Sequence, residues 1–183
     1  MHSNLDEVEL FLNGESQGSQ KVQPLTHLEW KVKYEPGVIE ARGSKGGKVA
    51  LSEKRETTGK PESIVLTADR TEIDANGEDI AIVRVEVRDK DGRHVPTADN
   101  QISFKVTADG ALIGVGNGDP NCQESDKDPK RSLFNGLAQV IVQASKTPGT
   151  IVLEAYTEPW PGPKLPATKL TITTRKVELR PAL

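Results

Sequence analysis

Nearly every patterned segment of this 183-residue chain alternates apolar and polar residues with period two, and no stretch carries a helical stripe. That periodicity restricts the chain to sheets that bury one face each. Val8-Glu9-Leu10-Phe11-Leu12 leads into Asn13-Gly14, a dipeptide that favours a tight hairpin. From His27 to Tyr34 the residues Leu28, Trp30, Val32 and Tyr34 share one face, and Glu29, Lys31 and Lys33 share the other. This predicts a half-buried antiparallel strand with Trp30 and Tyr34 in the core. Glu35-Pro36-Gly37 ends it, Val38 to Gly43 follows, and Lys45-Gly46-Gly47-Lys48 turns the chain into a strand from Val49 to Thr57.

Thr58-Gly59-Lys60-Pro61 reads as a linker and divides the chain into 1–59 and 60–183. The first region holds roughly four or five strands, fewer than an immunoglobulin-like sandwich uses. It is therefore expected to be a partial module whose first strands lie outside the sequence. The second region carries short strands at regular spacing: Ile64–Ala68, Ile80–Val87, Ile102–Val106, Ala111–Gly116, a pair around Ser132–Ala144, Ile151–Tyr156 and Lys169–Thr174. Asp74–Asp79 and Asp89–Arg93 are the turns between them. The pattern predicts a Greek-key sandwich. The fold class is thus all-β, with two immunoglobulin-like modules.

Composition narrows the function. Aromatic residues are 4% and hydrophobic residues 34%, a lean core that suits thin two-sheet sandwiches. Charges of both signs are interspersed with a net of −3, which argues against nucleic acid. No apolar run reaches membrane-spanning length, and Met1 to Glu7 lacks the form of a signal peptide. Cys122 is the single cysteine, so no internal disulfide supports the fold, and its polar neighbours include no histidine to activate it. His2, His27 and His94 are scattered and suggest no shared site. Gly114-x-Gly116-x-Gly118 precedes no helix, so close backbone packing and a bulge explain it better than phosphate binding.

Glycoside hydrolysis requires two carboxylates across a cleft, one kept protonated. The 27 acidic residues lie mostly in turns or on solvated strand faces, with none in an apolar run that would raise a carboxyl pKa. No catalytic residue emerges. The polar excursion Asn117–Lys130 offers oxygen ligands to Ca²⁺, with Asp119, Glu124 and Asp126 as the candidate metal ligands. Its spacing differs from an EF-hand, and Lys127, Lys130 and Arg131 dilute it, so a solvated loop is the competing reading. No cofactor is expected. Trp160, stiffened by Pro159 and Pro161, is the one loop aromatic and the candidate carbohydrate contact. Folding back over the core is its alternative.

Several motifs point to a family. Glu7–Gly14, then Leu28-Glu29-Trp30-Lys31-Val32, then Tyr34-Glu35-Pro36-Gly37 resemble the domain that follows the catalytic barrel in bacterial family 2 β-galactosidases. Thr57-Thr58-Gly59 fits the exit from that domain. Leu66–Arg70, Ala75–Ala81, Val115–Pro120 and Phe134–Gln143 resemble the last immunoglobulin-like domain of the same enzymes. The resemblance implies a bacterial parent glycosidase, periplasmic or secreted, whose catalytic glutamates sit on an upstream barrel. No position here corresponds to them. It further implies an accessory module that supports the barrel, its expected partner, and shapes substrate access or subunit contacts. The alternatives are a carbohydrate-binding module, with carbohydrate as partner, and an adhesin-like structural repeat.

Overall fold

The computed structural model describes residues 1–158 and 164–179. These contain thirteen strands and no helix, the all-β class that the alternation predicts. The chain divides into two compact units, Met1–Thr57 and Thr58–Leu183.

Unit 1 is one sheet made from two hairpins. β1 (Glu7–Leu12) and β2 (Glu15–Lys21) are joined by Asn13 and Gly14, at φ 51° and 87°. β3 (Val38–Lys45) and β4 (Lys48–Glu56) are joined by Gly46 and Gly47, at φ 57° and 74°. Positive φ at both central residues matches the right-handed twist of the flanking strands. β1 pairs antiparallel with β3, giving the order β2-β1-β3-β4. One face carries Val8, Leu10 and Leu12 opposite Gly43, Ala41 and Ile39. Val8, Leu10 and Leu28 are buried.

The opposite face is polar, and Glu40 on β3 is its hub. It accepts two hydrogen bonds from Arg42, both at 3.0 Å, and one from Ser52 Oγ at 2.6 Å. These bonds, Arg42 first, hold its pKa down to about 2. The Arg42 guanidinium also lies over the Phe11 ring, 4.1 Å from the centroid.

Residues 27–34 depart from expectation. They alternate as the sequence indicates, with Leu28 buried, Trp30 and Val32 half-buried, and Glu29, Lys31 and Lys33 exposed. Yet they form no strand, because a second backbone reaches them only at Leu28, where Met1 pairs with it. Tyr34, expected in the core, is 75% exposed. Trp30 covers the sheet edge and donates its indole N–H to Gly18 O at 3.0 Å.

Unit 2 is a two-layer sandwich. Its strands are β5 (Ser63–Ala68), β6 (Glu72–Asp74), β7 (Ile80–Arg88), β8 (Gln101–Ala108), β9 (Gly110–Gly116), β10 (Lys130–Ser132), β11 (Leu137–Ala144), β12 (Gly149–Thr157) and β13 (Thr168–Arg175). One layer has the order β5-β7-β11-β9 and the other β10-β8-β12-β13-β6. Val83, Val85 and Val87 on β7 and Val140 and Val142 on β11 form the inner face of the first layer. Ile102 and Phe104 on β8, Ile151 and Leu153 on β12 and Ile172 on β13 supply the second. All ten lie in one buried cluster, so the layers interlock face to face. Asn135 and Gly136, at φ 52° and 73°, turn the chain into β11. A Cβ at Gly136 would stand 2.2 Å from Val95 O. In the first layer, β9 carries a register shift beside Gly114.

Leu153→Ala is expected to cost about 2–5 kcal/mol in urea unfolding, the range for truncating a buried leucine. Gly136→Ala should also lower the midpoint, because both the backbone conformation and the Val95 carbonyl oppose a side chain there. An unchanged midpoint in either variant would contradict the packing described.

Candidate functional site

The densest polar constellation in unit 2 surrounds Arg131, at the centre of β10. Pairing with Ile102 on β8 sets its position. Its side chain is 2% exposed. The guanidinium donates to Cys122 Sγ at 2.8 Å, Asp126 Oδ1 at 2.6 Å and Val115 O at 3.2 Å. Glu124 Oε2 lies 3.8 Å from Nε. The loop between β9 and β10 thus folds back onto a buried cation. Burial works against the charged guanidinium, and the contacts with Cys122 and Asp126 outweigh it and raise its pKa.

The three acidic residues proposed as metal ligands take separate roles around this cation. Glu124 accepts from Ser132 N at 2.8 Å, Ser132 Oγ at 2.6 Å and Gln101 Nε2 at 3.0 Å. Partial burial pushes the Glu124 pKa up, but these bonds and Arg131 pull it below the usual range. Asp126 faces Arg131. Asp119 accepts from Asn121 N at 2.9 Å in a turn that Asn117 Oδ1 begins by capping Asp119 N. Among the described residues, no group of three or more His, Cys, Asp or Glu side chains is arranged to hold a metal ion. Trp160, the proposed sugar contact, lies outside the described residues. Thr157 Oγ accepts from Leu165 N at 2.9 Å.

Two further carboxylates organise turns. Asp89, buried at the end of β7, accepts from the amides of Gly59, Asp91 and Arg93 at 2.8, 2.9 and 2.8 Å. These amides, Gly59 first, lower its pKa against the cost of burial. Asp79 is lowered chiefly by the Asp74 amide at 2.8 Å, with Arg70 assisting. Glu86 on β7 is also buried, with Arg84 at 2.8 Å, Arg88 at 3.2 Å and His94 Nδ1 at 3.5 Å. A shallow groove of about 410 Å³ runs past Arg84, Gly116, Leu137 and Gln139. Its one charged residue, Arg84, is already paired with Glu86.

Glu40, Asp79, Asp89, Asp91 and Glu124 are all held below the ordinary carboxylate range by their hydrogen-bond donors. A glycosidase acid needs the opposite, a carboxyl held protonated near neutral pH. In unit 2 these anions lock turns, at Asp79 and Asp89, and neutralise a buried arginine, at Glu124 and Asp126.

Residues 64–164 match the profile of glycoside hydrolase family 2 C-terminal domain 5. The chain belongs to this family. Residues 1–51 match a second profile, a domain of unknown function (DUF4982). The β-galactosidase BoGH2A of Bacteroides ovatus is 42% identical over 158 residues, covering 86% of this chain and 19% of that protein. A putative β-glucuronidase of Formosa agariphila is 32% identical over 152 residues, covering 81% of this chain and 15% of that protein. A family 2 member from Bacteroides cellulosilyticus superposes with a TM-score of 0.90 at 34% identity, over 94% of this chain and 22% of that structure. The chain therefore spans about a fifth of the length of the family 2 proteins it matches, and the part matched is their C-terminal part. The motifs from Glu7 to Gly37 and from Leu66 to Gln143 had indicated the same family.

The sequence reading missed Arg131 as an organiser and placed it among residues that dilute the acidic loop. The available signal was its position in the short apolar context Arg131-Ser132-Leu133-Phe134. Arg131→Ala is expected to cost about 3–5 kcal/mol, as when one member of a buried ion pair is removed. Arg131→Lys should recover only part of that, because one ammonium cannot span the same acceptors. Urea unfolding checks both. The lowered Asp79, Asp89 and Glu124 predict an acid-labile unit 2. Their contribution is complete above the unfolded carboxylate values of about 4 and is lost as pH falls through the lower folded values. The urea midpoint should therefore fall progressively below about pH 4; a midpoint that held or rose there would contradict this.

Proposed function

We propose that this chain is the non-catalytic C-terminal accessory part of a β-galactosidase of family 2, packed against an upstream catalytic barrel. One observation carries the reading: the match to glycosidases is confined to about a fifth of their length and falls under a C-terminal profile. The carboxylate chemistry supports it, since the displaced acids are held ionised by turn amides, hydroxyls and cations. The parent is assigned as a β-galactosidase because the Bacteroides ovatus relative bears that name at 42% identity, above the 32% of the Formosa agariphila putative β-glucuronidase. The role assigned to both units is support of the barrel, together with shaping of substrate access or subunit contacts.

The purified 183-residue chain is expected to give no turnover of an aryl β-galactoside. The full-length protein should hydrolyse it in preference to the matching aryl β-glucuronide. Turnover by the isolated chain that disappears on Glu124→Gln or Glu86→Gln would overturn the non-catalytic assignment. A full-length protein that prefers the glucuronide would overturn the galactosidase assignment. Removal of residues 1–183 from the full-length protein should lower its melting temperature; an unchanged melting temperature would refute support of the barrel.

A further inference from the structure

We infer that the segment Leu28–Tyr34 is a docking edge for one more β-strand, supplied by the polypeptide that precedes residue 1 in the full-length protein. The inference rests on the reading of this chain as the C-terminal part of a longer protein.

Met1 and Leu28 exchange two backbone hydrogen bonds. Met1 N donates to Leu28 O at 2.7 Å, and Leu28 N donates to Met1 O at 2.8 Å. A reciprocal exchange of this kind is the hydrogen-bonded rung of an antiparallel ladder. In such a ladder the backbone groups of successive residues point alternately toward the neighbour and away from it. Leu28 points toward Met1, so Trp30, Val32 and Tyr34 present their N–H and C=O groups to the same side. Glu29 confirms the alternation, since its carbonyl is reached from the β2 side by Gln20 Nε2 at 2.7 Å. Among the described residues, Glu29–Tyr34 make no backbone–backbone hydrogen bond. None of the six has a positive φ, so the segment is free to continue as an extended edge.

Side chains agree with the backbone. Leu28, Trp30, Val32 and Tyr34 face one way, and burial declines along them from Leu28 to Tyr34. Val49 and Leu51 on β4 are also exposed, at 64% and 63%. Residues 1–57 thus cover the apolar surface of this sheet only in part.

The existing rung fixes the register. An antiparallel strand running back from Met1 places the residue two positions earlier opposite Trp30, four positions earlier opposite Val32 and six positions earlier opposite Tyr34. Directly opposed residues project to the same face, so those three positions should be apolar and the ones between them polar. Chain continuity supplies this occupant without any search by diffusion, which favours it over a second copy or a separate protein.

Hydrogen exchange at single-residue resolution on the 183-residue chain and on the full-length protein tests the inference. In the full-length protein, the amides of Trp30, Val32 and Tyr34 should exchange roughly tenfold or more slowly than in the shorter chain. Those of Lys31 and Lys33 should change little. Equal exchange in the two proteins, or protection of the lysine amides instead, would overturn the strand. The intact mass of the native polypeptide separates the two readings. A mass several times 19.9 kDa with unprotected amides defeats the strand alone. A native mass of 19.9 kDa defeats both the strand and the longer parent.

Discussion

A sheet with one apolar face is stable only when something covers that face, and both units are organised by this requirement. In unit 2 the cover is a second sheet. The valines of β7 and β11 meet Ile151 and Leu153 of β12 in one buried cluster. In unit 1 the cover is partial. Leu28 and Trp30 lie over part of the sheet on an extended segment paired only at Leu28, and Val49, Leu51 and Tyr34 stay in contact with solvent. The same physical rule yields a closed sandwich in one case and an open edge in the other.

Strands that bury one face were legible from alternation: β7 and β12 fall where Ile80–Val87 and Ile151–Tyr156 place them, and β11 falls within Ser132–Ala144. Two strands, β2 and β6, carry no run of alternation of their own. β2 (Glu15–Lys21) contains no apolar residue except its glycine, because it is an edge strand held by backbone bonds to β1. β6 has only three residues and owes its existence to β13. The opposite error occurred at 27–34, where alternation was read as a strand. Alternation reports which side chains are covered; pairing also needs a second backbone, which no local pattern can announce. The Arg131 cluster was hidden for a related reason. Cys122, Asp126, Glu124 and Val115 converge on it only through the return of a long loop, and the sequence shows them as a diffuse polar stretch.

The electrostatics have a common logic. Asp79 and Asp89 serve as anchors for backbone amides that turns leave unpaired, and Glu124 and Asp126 neutralise a guanidinium that would otherwise be buried alone. Such carboxylates are committed to the fold. Asp79, Asp89 and Glu124 are each held below the ordinary carboxylate range by the groups they bind.

The parallel pairing of β6 with β13 sets when unit 2 can form. β6 finds its partner in the last strand, with Asp74 and Arg175 joined at 2.5 Å across 101 positions. β13 also lies between β6 and β12 rather than at the edge of its layer. During synthesis the second layer therefore cannot close until β13 has left the ribosome, and β12 and β8 wait beside an empty position. Contacts so distant in sequence are slow to form and leave strand edges uncovered meanwhile. The step from nascent chain to folded layer therefore waits on β13, and a chain cut short before Thr168 would lack the strand that completes it.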